Sequence, residues 1–195
     1  MDNGAERLAR DVDVLEAMSN EMADYLDSDV LFWPMGLSNM PMLTLGGYLM
    51  REYRLQALQD QLSAEDWARV AAAVSRFNEV LANRVVRFEK KAGAELEARL
   101  RQWQEYLKEV HSDSADRAAN YATAVETRAM IDELVARLTM PPYRLPDRAA
   151  EYLSTLNTVQ RNRWQPGEFV WPESWESAYP AADYWWLYGS LPSSS

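Results

Sequence analysis

One apolar stripe constrains the fold of this chain more than any other feature of its sequence. Its members recur every three or four residues, and they are Trp67, Val70, Val74, Phe77, Leu81, Val85, Phe88, Ala92, Leu96, Leu100, Trp103, Leu107 and Val110. This spacing places every member on one face of an α-helix and excludes the alternation of a strand. Ser63, with Asp66 three residues later, forms a start signal of the capping-box type. The stripe therefore predicts one helix over residues 64–111.

The length of that helix limits the shape of the molecule. It would extend roughly 72 Å at about 1.5 Å per residue. A compact domain of 195 residues has a radius of gyration of only roughly 16 Å. The stripe keeps its phase across Gly93, which favours an unbroken helix over a break near Lys90–Gly93. An elongated bundle, or a second copy of the chain that covers the overhang, is therefore expected.

Four further helices are predicted from apolar residues at helical spacing, over residues 5–27, 44–62, 115–139 and 147–164. The pair Pro141-Pro142 ends the helix over 115–139, and a short connection folds that helix back antiparallel on the second half of the long one. The fold class is therefore all-α. The predicted architecture is an elongated bundle of about five helices around one very long central helix.

The last part of the chain is different, and we divide the sequence into a helical bundle over residues 1–164 and an aromatic arm over 165–195. The arm is rich in tryptophan and tyrosine, and the prolines at 166, 172, 180 and 192 forbid a long helix. So much aromatic surface is not expected to stay in water. We predict an ordered, irregular arm that packs on the bundle or on a neighbouring subunit.

Composition excludes several classes of partner. The net charge of −10 makes contact with nucleic acid or an anionic membrane unfavourable. The chain has no cysteine, its first residues lack the pattern of a signal peptide, and its apolar runs are too short to span a membrane. A cytoplasmic protein is expected.

Chemistry is restricted by elimination. His111 is the only histidine and lies in the last turn of the long helix, where the helix dipole favours it, so we predict no catalytic residue, metal site or cofactor. Carboxylates could still bind Mg²⁺ in a helical hydrolase, and the candidates are Asp13, Glu16, Glu21, Asp24, Asp27, Asp132 and Glu133. These side chains fall opposite the apolar stripes, so a solvated face is favoured.

A second motif admits two interpretations. Gly46 and Gly47 stand near a helix start, with Arg51 and Arg54 one and two turns later. Free backbone N–H groups there could bind an anion. The favoured interpretation is that the glycines permit a tight turn or close helix packing.

Two aromatic clusters are candidate contact surfaces. The first lies in the loop that follows the first helix, and the second lies in the arm; the residues selected are Phe32, Trp33, Met35, Trp171, Trp175, Trp185, Trp186 and Tyr188. We expect a non-catalytic interaction or scaffold protein whose partner is another protein or itself, with a homodimer favoured. The alternatives are the Mg²⁺-dependent hydrolase and a binder of small molecules or peptides with a pocket lined by Trp33 and methionines.

Overall fold

Helices form most of the chain in the computed structural model, which describes residues 3–112 and 120–192, with the backbone alone for 110–112. The α-helices are α1 (Gly4–Asp27), α2 (Leu45–Ala57), α3 (Ala64–Ala82), α4 (Val85–Ser112), α5 (Tyr121–Thr139) and α6 (Asp147–Arg161). Short 3-10 helices cover Gln59–Gln61, Glu173–Ala178 and Trp185–Leu187. Strands β1 (Gln165–Pro166) and β2 (Gly189–Ser190) pair antiparallel, with Gln165 opposite Ser190. The all-α prediction is confirmed.

The predicted long helix is divided in two. Residues 64–111 are helical except at Asn83 and Arg84, which lie between the end of α3 and the start of α4. The helix does not break at Gly93. The Asn83 side chain donates to the Glu79 carbonyl at 2.9 Å, and Arg84 makes two hydrogen bonds of 2.9 Å to Asp27 of α1. A side chain that bonds the preceding turn competes with the backbone hydrogen bonds of the helix. The single helix of 64–111 is therefore corrected to two consecutive helices, while continuity through Gly93 is confirmed.

The remaining helices follow the expected arrangement. Helix α1 packs along α3, whereas α5 and α6 pack on α4. The apolar stripe is therefore buried by different helices in its first half, on α3, and in its second half, on α4. Helix α5 runs antiparallel to α4: Phe88, near the start of α4, contacts Tyr143 beyond the end of α5. The predicted beginning of this helix, at 115, and its proposed cap at Asp113 or Ser114 lie outside the described residues.

Helix α2 is the most enclosed helix. It contacts α1, α3, α4 and α5, and its buried residues include both glycines. Thr44 caps it, because the Thr44 hydroxyl accepts a hydrogen bond from Gly47 N at 3.0 Å. Helix α2 therefore connects the four helices that pack around it.

Two charged side chains of α4, one turn apart, fix the loop between α1 and α2. The Lys91 ammonium donates to the carbonyls of Tyr25, Ser28 and Val30 at 2.6–2.9 Å, at the C-terminal end of α1. A cation at that end of a helix is stabilised by the carbonyls that have no intrahelical partner. Burial lowers the pKa of Lys91, and the nearby charges of Asp29 and Asp27 oppose that shift.

Glu95 supplies the complementary contact at the start of α2. Its carboxylate, 0 % exposed, accepts hydrogen bonds from Leu45 N at 2.8 Å and Gly46 N at 3.1 Å, and from Arg99 Nε at 3.2 Å. Burial raises the pKa of Glu95, and the charge of Arg99 and the Gly46 N–H group oppose that rise. The helix start therefore does bind an anion, but the anion belongs to the chain itself. The glycines serve close packing, as the favoured interpretation held.

The aromatic arm packs on the bundle of its own chain. Trp175 Nε1 donates to the Gly4 carbonyl at 3.3 Å, and Trp171 Nε1 donates to the Ala122 carbonyl at 2.8 Å. On the bundle side, the Tyr53 hydroxyl donates to the Ala178 carbonyl at 2.7 Å. Rings of the arm also stack edge-to-face on one another, which adds to the energy of their burial. The arm therefore completes the core over α1, α2 and α5.

A matched pair of glycine substitutions tests the Glu95 contact. A methyl group at Gly46 would lie 2.8 Å from Glu95 Oε1 and 3.0 Å from Met130 Cβ, whereas one at Gly93 meets only Pro146 Cγ at 3.7 Å. We expect Gly46→Ala to lower the free energy of unfolding by about 2 kcal/mol through overpacking. Gly93→Ala should raise it by up to about 1 kcal/mol, since alanine favours a helix. Urea unfolding followed by circular dichroism measures both, and equal effects would contradict the assignment.

Candidate functional site

The contact residues predicted in the first loop lie in different environments. Phe32 is exposed and Met35 is buried. Trp33 is half-buried: its indole donates to the Glu21 carboxylate at 2.6 Å, and its backbone pairs with Leu43. Trp33 therefore helps to fix the loop.

The contact residues predicted in the arm are mostly core residues. Trp171, Trp175 and Trp186 are buried within the chain. Trp185 and Tyr188 are half-buried, and Arg161 lies over the Trp185 ring at 4.0 Å. Three of the five rings are therefore part of the core, and Trp185 and Tyr188 remain partly exposed.

Exposed apolar side chains concentrate in one short part of the chain. Among the described residues, seven large apolar side chains are exposed, and four of them are Val30, Phe32, Leu37 and Met42. We call these four the apolar loop surface. The contacts that hold the loop in place include Lys91 at its start, the pairing of Trp33 with Leu43, and a hydrogen bond of 2.9 Å from the Tyr25 hydroxyl to the Leu31 carbonyl. The apolar loop surface is therefore displayed on a fixed backbone.

Beside this loop, a cleft of about 440 Å³ opens between α1, α2 and the arm. We call it the arginine cleft, because it is lined by four arginines, Arg7 and Arg10 of α1 and Arg51 and Arg54 of α2. Val14, Met40, Pro41 and Trp175 supply apolar parts of its wall. The cleft is the place where the first loop and the arm meet.

The carboxylate of Asp11 binds both of the α2 arginines, Arg51 and Arg54. Asp11, 7 % exposed, accepts from Arg51 Nε at 3.1 Å and from Arg54 Nη1 at 2.6 Å. Arg54 is 2 % exposed and also donates to the Tyr179 hydroxyl at 3.0 Å. Burial lowers the pKa of Arg51, and the neighbouring charge of Arg54 adds to that effect while Asp11 opposes it. The floor of the cleft is thus positively charged and largely dehydrated.

The arm contributes the aromatic side of the cleft. The guanidinium of Arg54 lies 4.1 Å from the centre of the Trp175 ring, and that of Arg7 lies 4.7 Å from it. Such cation–π contacts stabilise a guanidinium that has lost its water. Trp175, selected from the sequence as a contact residue, therefore positions the arginines of the cleft.

The carboxylates considered for Mg²⁺ do not converge. Asp13 and Glu16 both bind Arg69, and Asp27 binds Arg84, whose hydrogen bond lowers the pKa of Asp27. Asp132 is paired with Arg128. Among the described residues, no group of three or more aspartate, glutamate or histidine side chains is placed to hold a metal ion. The side chain of His111 lies outside the described atoms.

Glu133 lies in a second, smaller cleft of about 120 Å³ with Glu52, Tyr53 and Arg137. Burial, with the nearby charges of Asp132 and Glu52, raises the pKa of Glu133 from 4.5 to about 8. Burial also raises the pKa of Glu52, and Arg137 stands 3.7 Å from its carboxylate. Glu133 accordingly keeps, at neutral pH, a proton that most carboxyl groups have lost.

The sequence could not indicate the arginine cleft as a whole. Arg51 and Arg54 follow the glycine pair in the sequence, but Arg7, Arg10 and Asp11 look like ordinary charges of an amphipathic helix. Their spacing along α1 brings them to one face, and only the packing of α1 against α2 shows that this face meets a second pair of arginines.

No protein-family model matches the chain, and no curated protein or solved structure matches it. Among the described residues, no helix has both the length and the apolar character needed to cross a membrane.

The raised pKa of Glu133 makes the free energy of unfolding depend on pH. Between about pH 4.5 and about pH 8 the unfolded chain ionises at Glu133 while the folded protein keeps the proton, so the wild type loses stability as pH rises. Glu133→Gln removes this loss, and above pH ~8 its free energy of unfolding should exceed that of the wild type by up to about 5 kcal/mol. Near pH ~4.5 the difference should vanish.

Urea unfolding across this pH range measures the difference, with Glu97→Gln as the control, because the Glu97 side chain is 63 % exposed on α4. A Glu133→Gln difference that stays constant with pH would refute the shift.

Proposed function

We propose that this protein is a non-catalytic interaction module of the cytoplasm that forms a homodimer through the apolar loop surface. The observation that carries the proposal is the concentration of exposed Val30, Phe32, Leu37 and Met42 in a loop whose backbone is fixed. Clustered apolar side chains on a rigid surface favour association, because little ordering is needed when a partner covers them.

Charge supports a contact between copies at this loop. A chain of net charge −10 repels its own copies over most of its surface. Residues 28–43 contain one charged side chain, Asp29. Arg10 reaches the same loop and donates to the Asn39 carbonyl at 2.6 Å. The repulsion between two acidic copies is therefore weakest where the apolar side chains are exposed.

Location is a second part of the proposal. A chain without cysteine needs no oxidising compartment for its stability. The folded core, the buried arm and the charged helix contacts all form without a disulfide, which suits a protein of the cytoplasm.

The binding pocket foreseen around Trp33 is not favoured by its contacts, because Trp33 packs on Tyr25 and binds Glu21. Met40, from the same loop, lines the arginine cleft instead. The hydrolase alternative gains no support from carboxylates that are paired with arginines.

A double substitution tests the homodimer. At micromolar concentration, light scattering should give the wild type twice the monomer mass of 22.4 kDa. Phe32→Asp with Leu37→Asp should weaken association at least about 100-fold, because two apolar contacts are lost and two charges are placed in the interface.

The matched control is Val86→Asp with Val159→Asp, which charges two exposed apolar positions on α4 and α6, outside the loop. This control should remain a dimer, and circular dichroism should show unchanged helix content in both doubles. A wild type that stays at the monomer mass up to high micromolar concentration would refute self-association, and so would a control that dissociates equally.

A further inference from the structure

We propose that the arginine cleft binds a small organic anion, in which a carboxylate or phosphate group is attached to an apolar or aromatic part. This inference does not depend on the homodimer, because the cleft is built within one chain from α1, α2, the loop and the arm.

The charge of the cleft is the first argument. Four guanidinium groups line it, against the two carboxylates of Asp11 and Glu126, so its local charge is +4 − 2 = +2. The chain as a whole carries −10. A concave positive site on an acidic protein concentrates field lines and attracts small anions.

The burial of Arg54 is the second, independent argument. Its side chain is 3 % exposed, and Nη2 has no hydrogen-bond partner among the described residues. Asp11 neutralises one positive charge but contacts both Arg54 and Arg51. Buried charge without a full counter-charge is costly. An anion in the cleft would supply the missing negative charge.

A ligand that enters from solvent first meets the two more exposed arginines of the cleft, Arg7 and Arg10. Arg7 is 3.6 Å from Glu126, with its side chain 39 % exposed, and Arg10 is exposed at the cleft mouth. A ligand would compete for Arg7 with Glu126 and for Arg10 with the Asn39 carbonyl. The planar guanidinium matches carboxylate and phosphate oxygens in paired hydrogen bonds, which is why the shared chemistry is an oxyanion.

The walls indicate that the ligand has an apolar part. Val14, Met40, Pro41 and Trp175 face the same space as the arginines. The volume of about 440 Å³ lies within the range of small-molecule sites, which is about 300–1,000 Å³. Inorganic phosphate alone would leave this apolar surface uncovered.

Calorimetric titration with phenyl phosphate, benzoate and inorganic phosphate, at constant ionic strength set by sodium chloride, tests the proposal. We expect one of the two aromatic anions to bind with a dissociation constant at or below about 1 mM. The tighter of the two identifies the oxyanion as phosphate or carboxylate. Inorganic phosphate should bind at least about tenfold more weakly than phenyl phosphate, since it has no apolar part.

Variants with opposite expected effects separate binding from folding. Arg10→Gln should weaken binding at least about tenfold by removing a charged donor. Glu126→Gln should tighten it several-fold, because Arg7 is released from its ion pair, and a misfolded protein could not produce this gain. The control is Arg101→Gln, on an exposed position of α4, which should leave the affinity unchanged.

Three results would overturn the proposal: no binding of either aromatic anion at millimolar concentration, measurable binding of phenyl phosphate that is no tighter than that of inorganic phosphate, or an Arg101→Gln loss equal to that of Arg10→Gln.

Discussion

A pair of opposite charges on α4 holds the bundle in register. Lys91 meets the carbonyls at the end of α1, and Glu95, one turn later, meets the N–H groups at the start of α2. Each charge has the sign that the nearby helix terminus favours. Because both side chains project from one rigid helix, the distance between the two helix ends is set, and with it the path of the loop 28–43. The exposed apolar residues of that loop depend on this contact for their position.

The structure also depends on the contacts of α2. Its buried Arg54 binds Asp11 on the α1 side and Tyr179 on the arm side, so one side chain connects three parts of the chain. Trp171 and Trp175 then enclose the guanidinium. The arm is consequently more than a cover for apolar surface, because it creates the low-dielectric wall that gives the arginine cleft its electrostatic strength. The two features of functional interest, the loop and the cleft, both follow from the contacts of α2.

Helix periodicity predicted the fold class and most helix positions, because burial of one face is a local property of sequence. The break at Asn83 was not predictable in this way, since Leu81 and Phe88 keep the same phase on both sides of it and both are buried. What ends α3 is a side-chain hydrogen bond and a contact with Asp27 of another helix. The same limit applies to the arginine cleft, whose charges come from two helices. The density of aromatic rings predicts that the arm is ordered, but it does not reveal the direction in which the rings face.

The hydrogen bond between Trp175 and the Gly4 carbonyl joins positions separated by 171 residues. During synthesis, α1 to α5 leave the ribosome before Trp175 does, so the nascent bundle carries Arg54 and Arg7 without their aromatic wall. Contacts of such long range form late, after the local helices. A chain interrupted before the arm would lack the aromatic wall of the arginine cleft. The arginine cleft is therefore incomplete until synthesis has passed Trp175.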